Sequence, residues 1–139
     1  MSLKIIHTAD WHLGQTFFGY DREEEHDAFL NWLVDTLAEQ QTDVLLIAGD
    51  VFDVANPSAS AQRRFFHFLK EANRRNPHLQ VIVVAGNHDS AARLESPIPL
   101  LEELNTSIVG IIRRTESGEI DFDSLVIPLY NKEKKREGW

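Results

Sequence analysis

The chain has 139 residues, a soft prior of one domain, and its 42% hydrophobic and 26% charged content is that of a folded globular protein rather than a disordered one. It contains no cysteine, which excludes disulfides, thiolate zinc sites, iron–sulfur clusters and cysteine nucleophiles. The net charge of −8 makes nucleic acid a poor first guess, since its binders usually present a basic face, and leaves two readings of the acids: solubility, or carboxylates gathered for divalent cations.

In chain order the sequence reads as alternating strands and helices. Leu3–Ala9 is a short β-rich run that ends at Asp10. From Arg22 to Gln40 the residues Phe29, Leu30, Leu33, Val34 and Leu37 recur at helical spacing behind an acidic first turn, Glu23-Glu24-Glu25. Asp43–Ala48 is a continuous apolar strand that ends at Gly49-Asp50. Asn56-Pro57-Ser58 starts a second helix over Ser58–Arg75, with Phe65, Leu69 and Ala72 as its inner stripe. Leu79–Ala85 repeats the buried-strand pattern and ends at Gly86-Asn87. A short helix around Pro99–Leu104, a strand at Ser107–Ile112, a hairpin over Glu119–Leu129 and a charged tail, Lys132–Glu137, complete the prediction. Near-continuous Val/Ile/Leu strands between helices imply a layered α/β fold with a largely parallel central sheet. No repeat or linker divides the chain. No apolar run approaches the roughly 20 residues that span a bilayer, and the N-terminus lacks the apolar stretch of a secretory signal. A soluble, cytoplasmic protein without membrane contact is expected.

Three polar clusters share one position, each directly following a buried strand: Asp10-Trp11-His12, Gly49-Asp50-Val51-Phe52-Asp53 and Gly86-Asn87-His88-Asp89. Parallel strands bring their C-terminal ends to one edge, where ligands of open α/β sheets sit, so the clusters should converge. Asp, His and Asn suit Mn²⁺, Fe²⁺, Zn²⁺ or Mg²⁺ rather than soft metals. Asp10 and His12 are spaced to reach one ion, Asp50 has two oxygens with which to bridge two, and Asn87 offers a neutral carbonyl to the second. Each motif alone is weak. An Asp-x-His or a Gly-Asp turn arises readily by chance, and only the ordered set at three strand ends is specific.

Those three motifs resemble the first three of the calcineurin-like metallophosphoesterases. The flanks His7–Gln15, Arg22–Leu33, Ala48–Asp53 and Ala85–Ser90 are similar to the bacterial DNA-nuclease branch of that family over residues 3–110. The resemblance implies Asp10, His12 and Asp50 on one metal and Asp50 with Asn87 on the other, manganese being the family's usual ion. It also implies His88 as a catalytic group facing the scissile phosphate, with Asp53 beside it favouring the charged imidazole. Archaeal and eukaryotic relatives typically carry histidine where this chain has Asp53. The implied reaction is phosphodiester hydrolysis on DNA, as a 3′→5′ exonuclease and single-strand endonuclease in DNA repair, recombination and replication. The implied partners are an ABC-type ATPase with long coiled coils and a second copy of the chain, docked through segments Arg22–Gln40 and Ser58–Arg75.

Other residues carry weaker expectations. Trp11 should pack beneath its loop. The aromatic loop Gln15–Tyr20 admits loop packing or DNA stacking, with Gln15, Phe17 and Tyr20 as the candidate DNA contacts. Arg63, Arg64, Arg74 and Arg75 read as a solvated helix face. His67 and His78 read as surface residues, and His26 has no assigned role. The family pattern continues with Gly-His and Gly-His-x-His, whereas residues 90–139 contain no histidine. The chain is therefore expected to be the N-terminal portion of such a domain, without the capping and ATPase-binding regions, binding metal weakly and with little activity by itself. The alternatives are another dinuclear metallophosphoesterase, acting on phosphoproteins or small phosphodiesters, and a non-catalytic assembly module.

Overall fold

A computed structural model of the chain describes residues 3–54, 57–85, 101, 103–109, 115–120, 126–130 and 136–138, with backbone alone for residues 17 and 136–138. Its elements are β1 (Ile5–Thr8), β2 (Thr16–Phe17), β3 (Tyr20–Asp21), α1 (Glu23–Glu39), β4 (Val44–Ala48), α2 (Ala59–Arg75), β5 (Gln80–Val84), β6 (Thr106–Val109), β7 (Leu129–Tyr130) and β8 (Arg136–Gly138). Strands β1-β4-β5-β6 form one four-stranded sheet in that order, and every neighbouring pair is parallel. Register runs Ile5 opposite Val44, Val44 opposite Gln80 and Val81 opposite Thr106. Parallel neighbours need crossovers, which α1 and α2 provide.

Alternation along the strands separates two faces. Leu45, Ile47, Val81 and Val83 join Leu30, Leu33, Leu37, Phe65, Phe68, Leu69 and Ala72 in one buried cluster, so both helices cover the same face. On the other, Ile5, Leu46, Ile82, Val84, Val109 and Leu129 line a shallow apolar hollow. Ile5 remains 48% and Val84 39% exposed there.

Local chemistry sets the helix ends. The Glu23 amide donates to Asp21 Oδ1 at 2.7 Å, and Glu23, Glu24 and Glu25 sit at the positive end of the α1 dipole. Ser58 Oγ accepts from the Ala61 amide at 3.1 Å and caps α2, whose last turn carries Arg74 and Arg75. At the opposite ends Asn76 is buried and donates through Nδ2 to the carbonyls of Leu37 (3.3 Å) and Thr42 (3.0 Å). It ties the exit of α1 to the exit of α2.

The expected arginine face proves partly inter-helical. Arg64 of α2 pairs with Asp27 (2.7 Å) and Glu23 (3.0 Å) of α1, and Arg75 pairs with Asp35; Arg74 pairs within its own helix with Glu71. The bounds of β1, α1, β4, α2 and β5 fall within about two residues of the prediction, the scatter usual at element ends, and β6 begins one residue early at Thr106, with residues 110–112 outside those described. Of the short helix expected around Pro99–Leu104, Leu101 and Glu103 are helical, and Pro99 lies outside the described residues.

The C-terminal expectations need correction. Among the described residues the antiparallel pairing there is β7 with β8, Leu129 opposite Gly138 and Tyr130 opposite Arg136, so part of the presumed charged tail, Lys132–Glu137, is a strand. Of the hairpin expected over Glu119–Leu129, Leu129 pairs with Gly138, and residues 121–125 lie outside those described. A buried side chain supplies the reason: Gln80 Nε2 donates to the Pro128 carbonyl (2.8 Å) and Gln80 Oε1 accepts from the Tyr130 amide (3.3 Å), which fixes the start of β7. Charged residues are common on such short edge strands.

Asn76→Ala should cost about 1–3 kcal/mol, because it takes from the Thr42 carbonyl its side-chain donor and leaves the Leu37 carbonyl with the Thr42 amide alone. Urea denaturation of the two proteins measures this, and an unchanged midpoint would show that water replaces the amide.

Candidate metal centre

The pairing of β1 with β4 continues beyond both strands. The Asp10 amide donates to the Gly49 carbonyl (3.1 Å), His12 to Asp50 (3.0 Å), Leu13 to Val51 (2.9 Å), and Asp53 back to Leu13 (3.1 Å). Leu13 and Phe52 form a parallel bridge. The two loops are thus laced together along their length.

The backbone within the lacing is unusual. Among the described residues six non-glycine residues have left-handed φ, and three of them are Asp10 (56°), His12 (50°) and Asp50 (51°). Such conformations cost about 1–3 kcal/mol each for a residue with a Cβ, and they persist only where the surroundings over-determine them. The result is chemical: donor atoms of Asp10, His12 and Asp50 all lie within 4.8 Å of one another. Two carboxylates and an imidazole, half-buried or exposed at the carboxyl edge of a parallel sheet, fit a divalent cation of the oxygen- and nitrogen-loving kind.

The apolar partners lie underneath. Trp11 is 6% exposed and Leu13 is fully buried, while Asp10 and His12 face outward. The Trp11 ring meets Phe29, Phe65 and Phe68 edge-on at 5.7, 6.3 and 5.2 Å, each contact worth about 0.5–1.5 kcal/mol beyond burial. Its Nε1 donates to Thr8 Oγ1 at 2.9 Å. Trp11 therefore packs beneath its loop, as expected. After Asp50, Val51 and Phe52 are buried in the same way, with Phe52 edge-on to Phe65 at 5.7 Å. Gly14, at φ +91°, brings the chain so close to α2 that a Cβ would stand 3.4 Å from Ala61 Cβ.

The family model of calcineurin-like phosphoesterases matches residues 3–132. The chain belongs to this family. Among curated relatives, the SbcD component of the SbcCD nuclease of Rhodobacter capsulatus is 48% identical over 130 residues, 94% of this chain and 32% of that protein. The same component of Escherichia coli K12 is 43% identical over 108 residues, 78% of this chain and 26% of that protein. That of Bacillus subtilis is 38% identical over 108 residues, with 78% and 27% covered. The chain spans between a quarter and a third of the length of these relatives.

In this member of the family the described residues bring together Asp10, His12 and Asp50; Asn87 and His88 lie outside them. Asp53, expected beside His88, has His12 as its described neighbour, with 3.6 Å between Oδ1 and the buried Nδ1. An imidazole whose second nitrogen faces a carboxylate is a common support for a metal-ligating histidine. That pairing was missed from sequence because Asp53 and His12 are brought together only by the lacing.

Beside the centre, β2 and β3 form a hairpin whose turn residues Phe18 and Gly19 both have positive φ (49° and 79°), the geometry of a two-residue type I′ turn. Phe18 is 87% and Tyr20 77% exposed. Gln15 accepts from Arg22 Nη1, and Arg22 Nε donates to Glu25 (2.8 Å), so Gln15 clamps the hairpin base. Phe18 is the exposed tip that sequence reasoning passed over in favour of Phe17. Only the turn geometry reveals it. Behind the clamp His26 is buried in the first turn of α1. Burial lowers its pKa, the cations of Arg22 and Arg64 lower it further, and Glu25 and Asp21 oppose them. Arg64, by its hydrogen bond and charge, likewise holds Glu23 below the usual carboxylate range.

Unfolded, His26 takes up a proton near pH 6.5; folded, it does so only at lower pH. Between the two values the unfolded chain binds more protons, so stability should fall as pH drops from about 6.5 through the folded value. Urea midpoints between pH 5 and 7.5 should show this fall weakened in His26→Gln; an identical pH profile for both proteins would assign it elsewhere.

Proposed function

We propose that this chain carries the metal-binding half of a DNA nuclease centre, belonging to a protein of the SbcD type that works with an SbcC-like ABC ATPase bearing coiled coils. The observation that carries the reading is the meeting of Asp10, His12 and Asp50 donor atoms within 4.8 Å at the ends of neighbouring parallel strands. The step from phosphoester to DNA rests on the names of the relatives. Their greater length supports reading the chain as the N-terminal portion of a longer domain, with the capping and ATPase-binding regions elsewhere. A cytoplasmic, nucleoid-associated location follows from that reading, and no helix among the described residues is long and apolar enough to cross a membrane.

Asp10, His12 and Asp50 would hold one divalent ion and Asp50 with Asn87 a second, manganese being the metal proposed. Bound cations of this kind supply Lewis acidity toward a phosphodiester. The chain's residues do the rest. Asp50, with two carboxylate oxygens, serves both positions. Asp53, 3.6 Å from His12 Nδ1, is proposed to steady that ring and leave Nε2 for the metal. His88 is the residue proposed to act at the scissile phosphate, giving a proton to the leaving oxygen, and Asp53 is also the carboxylate proposed to favour its charged form. Phe18 and Tyr20, exposed on the hairpin that follows the His12 loop, offer faces on which unpaired bases stack, with Phe17 opposite Tyr20 and Gln15 at the hairpin base. A second copy is proposed to dock through α1 and α2, where Trp32 is exposed on α1.

Asp50→Ala should weaken Mn²⁺ binding by more than about 100-fold, since even outer supports of metal ligands are worth about 10–100-fold. In the full-length protein it should abolish Mn²⁺-dependent hydrolysis of linear DNA. Retained activity would overturn the assignment, and a substrate panel in which phosphopeptides are cleaved and DNA is not would favour another phosphoesterase. Phe18→Ala with Tyr20→Ala should weaken single-stranded DNA binding by about 1–3 kcal/mol per ring while leaving Mn²⁺ affinity unchanged. Unchanged DNA binding in a filter or anisotropy titration would remove the hairpin from the interface.

A further inference from the structure

Trp11 stands between two residues in strained, left-handed backbone, and it is tied down more specifically than filling a core requires. A tryptophan serving only as apolar volume needs its rings covered. Here Phe29 of α1 and Phe65 and Phe68 of α2 each meet the indole near-perpendicularly, at 76°, 71° and 88°, so both helices set its height and tilt. In addition, the Nε1 hydrogen bond to Thr8 Oγ1 spans the end of β1. It closes a short loop of chain, Thr8 to Trp11, with Asp10 inside it. Within and just after that loop, the amides of Asp10, His12 and Leu13 are held on the carbonyls of Gly49, Asp50 and Val51.

We infer that Trp11 and Thr8 form a brace that positions Asp10 and His12 against Asp50, making Trp11 a positioning residue rather than a core filler. The geometry stands by itself, and its consequence for metal binding rests on the metal-centre reading above. The pivot is the indole N–H: phenylalanine at position 11 keeps an aromatic ring but has no donor, and valine at position 8 keeps the shape of threonine but has no acceptor. Serine at position 8 retains the acceptor.

Amide hydrogen exchange on the metal-free 139-residue chain tests the brace directly. Trp11→Phe and Thr8→Val should each lower protection at Asp10, His12 and Leu13 by about tenfold, the scale of one lost hydrogen bond, while Leu69 and Ala72 in the middle of α2 keep theirs. Thr8→Ser should restore it. In the same variants Mn²⁺ affinity, by calorimetric titration, should fall about 10–100-fold for Trp11→Phe and Thr8→Val and recover for Thr8→Ser. Protection at the three amides that stays at the parent level would overturn the brace. So would a loss shared equally with α2, since a filler acts on global stability alone. Failure of the unsubstituted chain to bind Mn²⁺ would overturn the metal-centre reading and with it the consequence drawn for affinity, while the exchange pattern would still decide the brace.

Discussion

The hydrogen-bonded lacing of the loop after β1 to the loop after β4 is the constraint on which the rest of the site depends. A parallel ladder that ended with its strands would leave two independent surface loops, free to keep their acidic side chains apart. Here the ladder runs on from Asp10 to Asp53 through backbone bonds, and its bends are the left-handed residues Asp10, His12 and Asp50. Carboxylates of like charge resist close approach, and left-handed backbone resists adoption by residues with a Cβ. Both costs are met from below, by Trp11, Leu13, Val51 and Phe52 buried against the two helices. Outward polar and inward apolar residues alternate through the Asp10–Leu13 segment, so anchoring and presentation are functions of the same four residues.

The helices matter to the site through this floor. Phe29 of α1 and Phe65 and Phe68 of α2 touch Trp11, and Phe65 also touches Phe52. Any shift between α1 and α2 would therefore reach both laced loops. Two devices oppose such a shift: Asn76 joins the helix exits, and Arg64 and Arg75 pair with acids of α1. Exposed pairs of this kind are individually worth little, and the buried amide of Asn76 carries more.

The acidic surplus divides by location. Glu23, Asp27 and Asp35 face arginines across the helix pair, and Glu24 and Glu25 share the first turn of α1 with Glu23. Asp10 and Asp50 converge at the sheet edge instead. A net charge of −8 is thus no argument about the partner of the site, because a gathering of carboxylates for divalent cations is one of its sources. Two such cations would offset half of the surplus.

Much of the architecture was legible in the sequence. Continuous Val/Ile/Leu runs separated by helical periodicity specify a parallel sheet with crossover helices, and the polar clusters at strand ends mark the site because parallel strands share one carboxyl edge. Asn87 and His88 belong to that pattern by motif alone. Illegible were the features that need two distant segments at once. Asp53 beside His12, Arg64 bridging to Asp27, and Gln80 fixing the start of β7 each join residues whose spacing carries no period. The exposed tip at Phe18 depends on the sign of two φ angles, and the strand within the charged tail depends on a partner edge. Local propensity and hydrophobic period act between near neighbours, so the sequence by itself determined the strands of the central sheet, the two helices between them, their order and the edge where the chemistry gathers. Which side chains meet there, and in what backbone conformation, only the tertiary structure decided, because backbone strain and side-chain pairing are settled by the packing of segments that lie far apart along the chain.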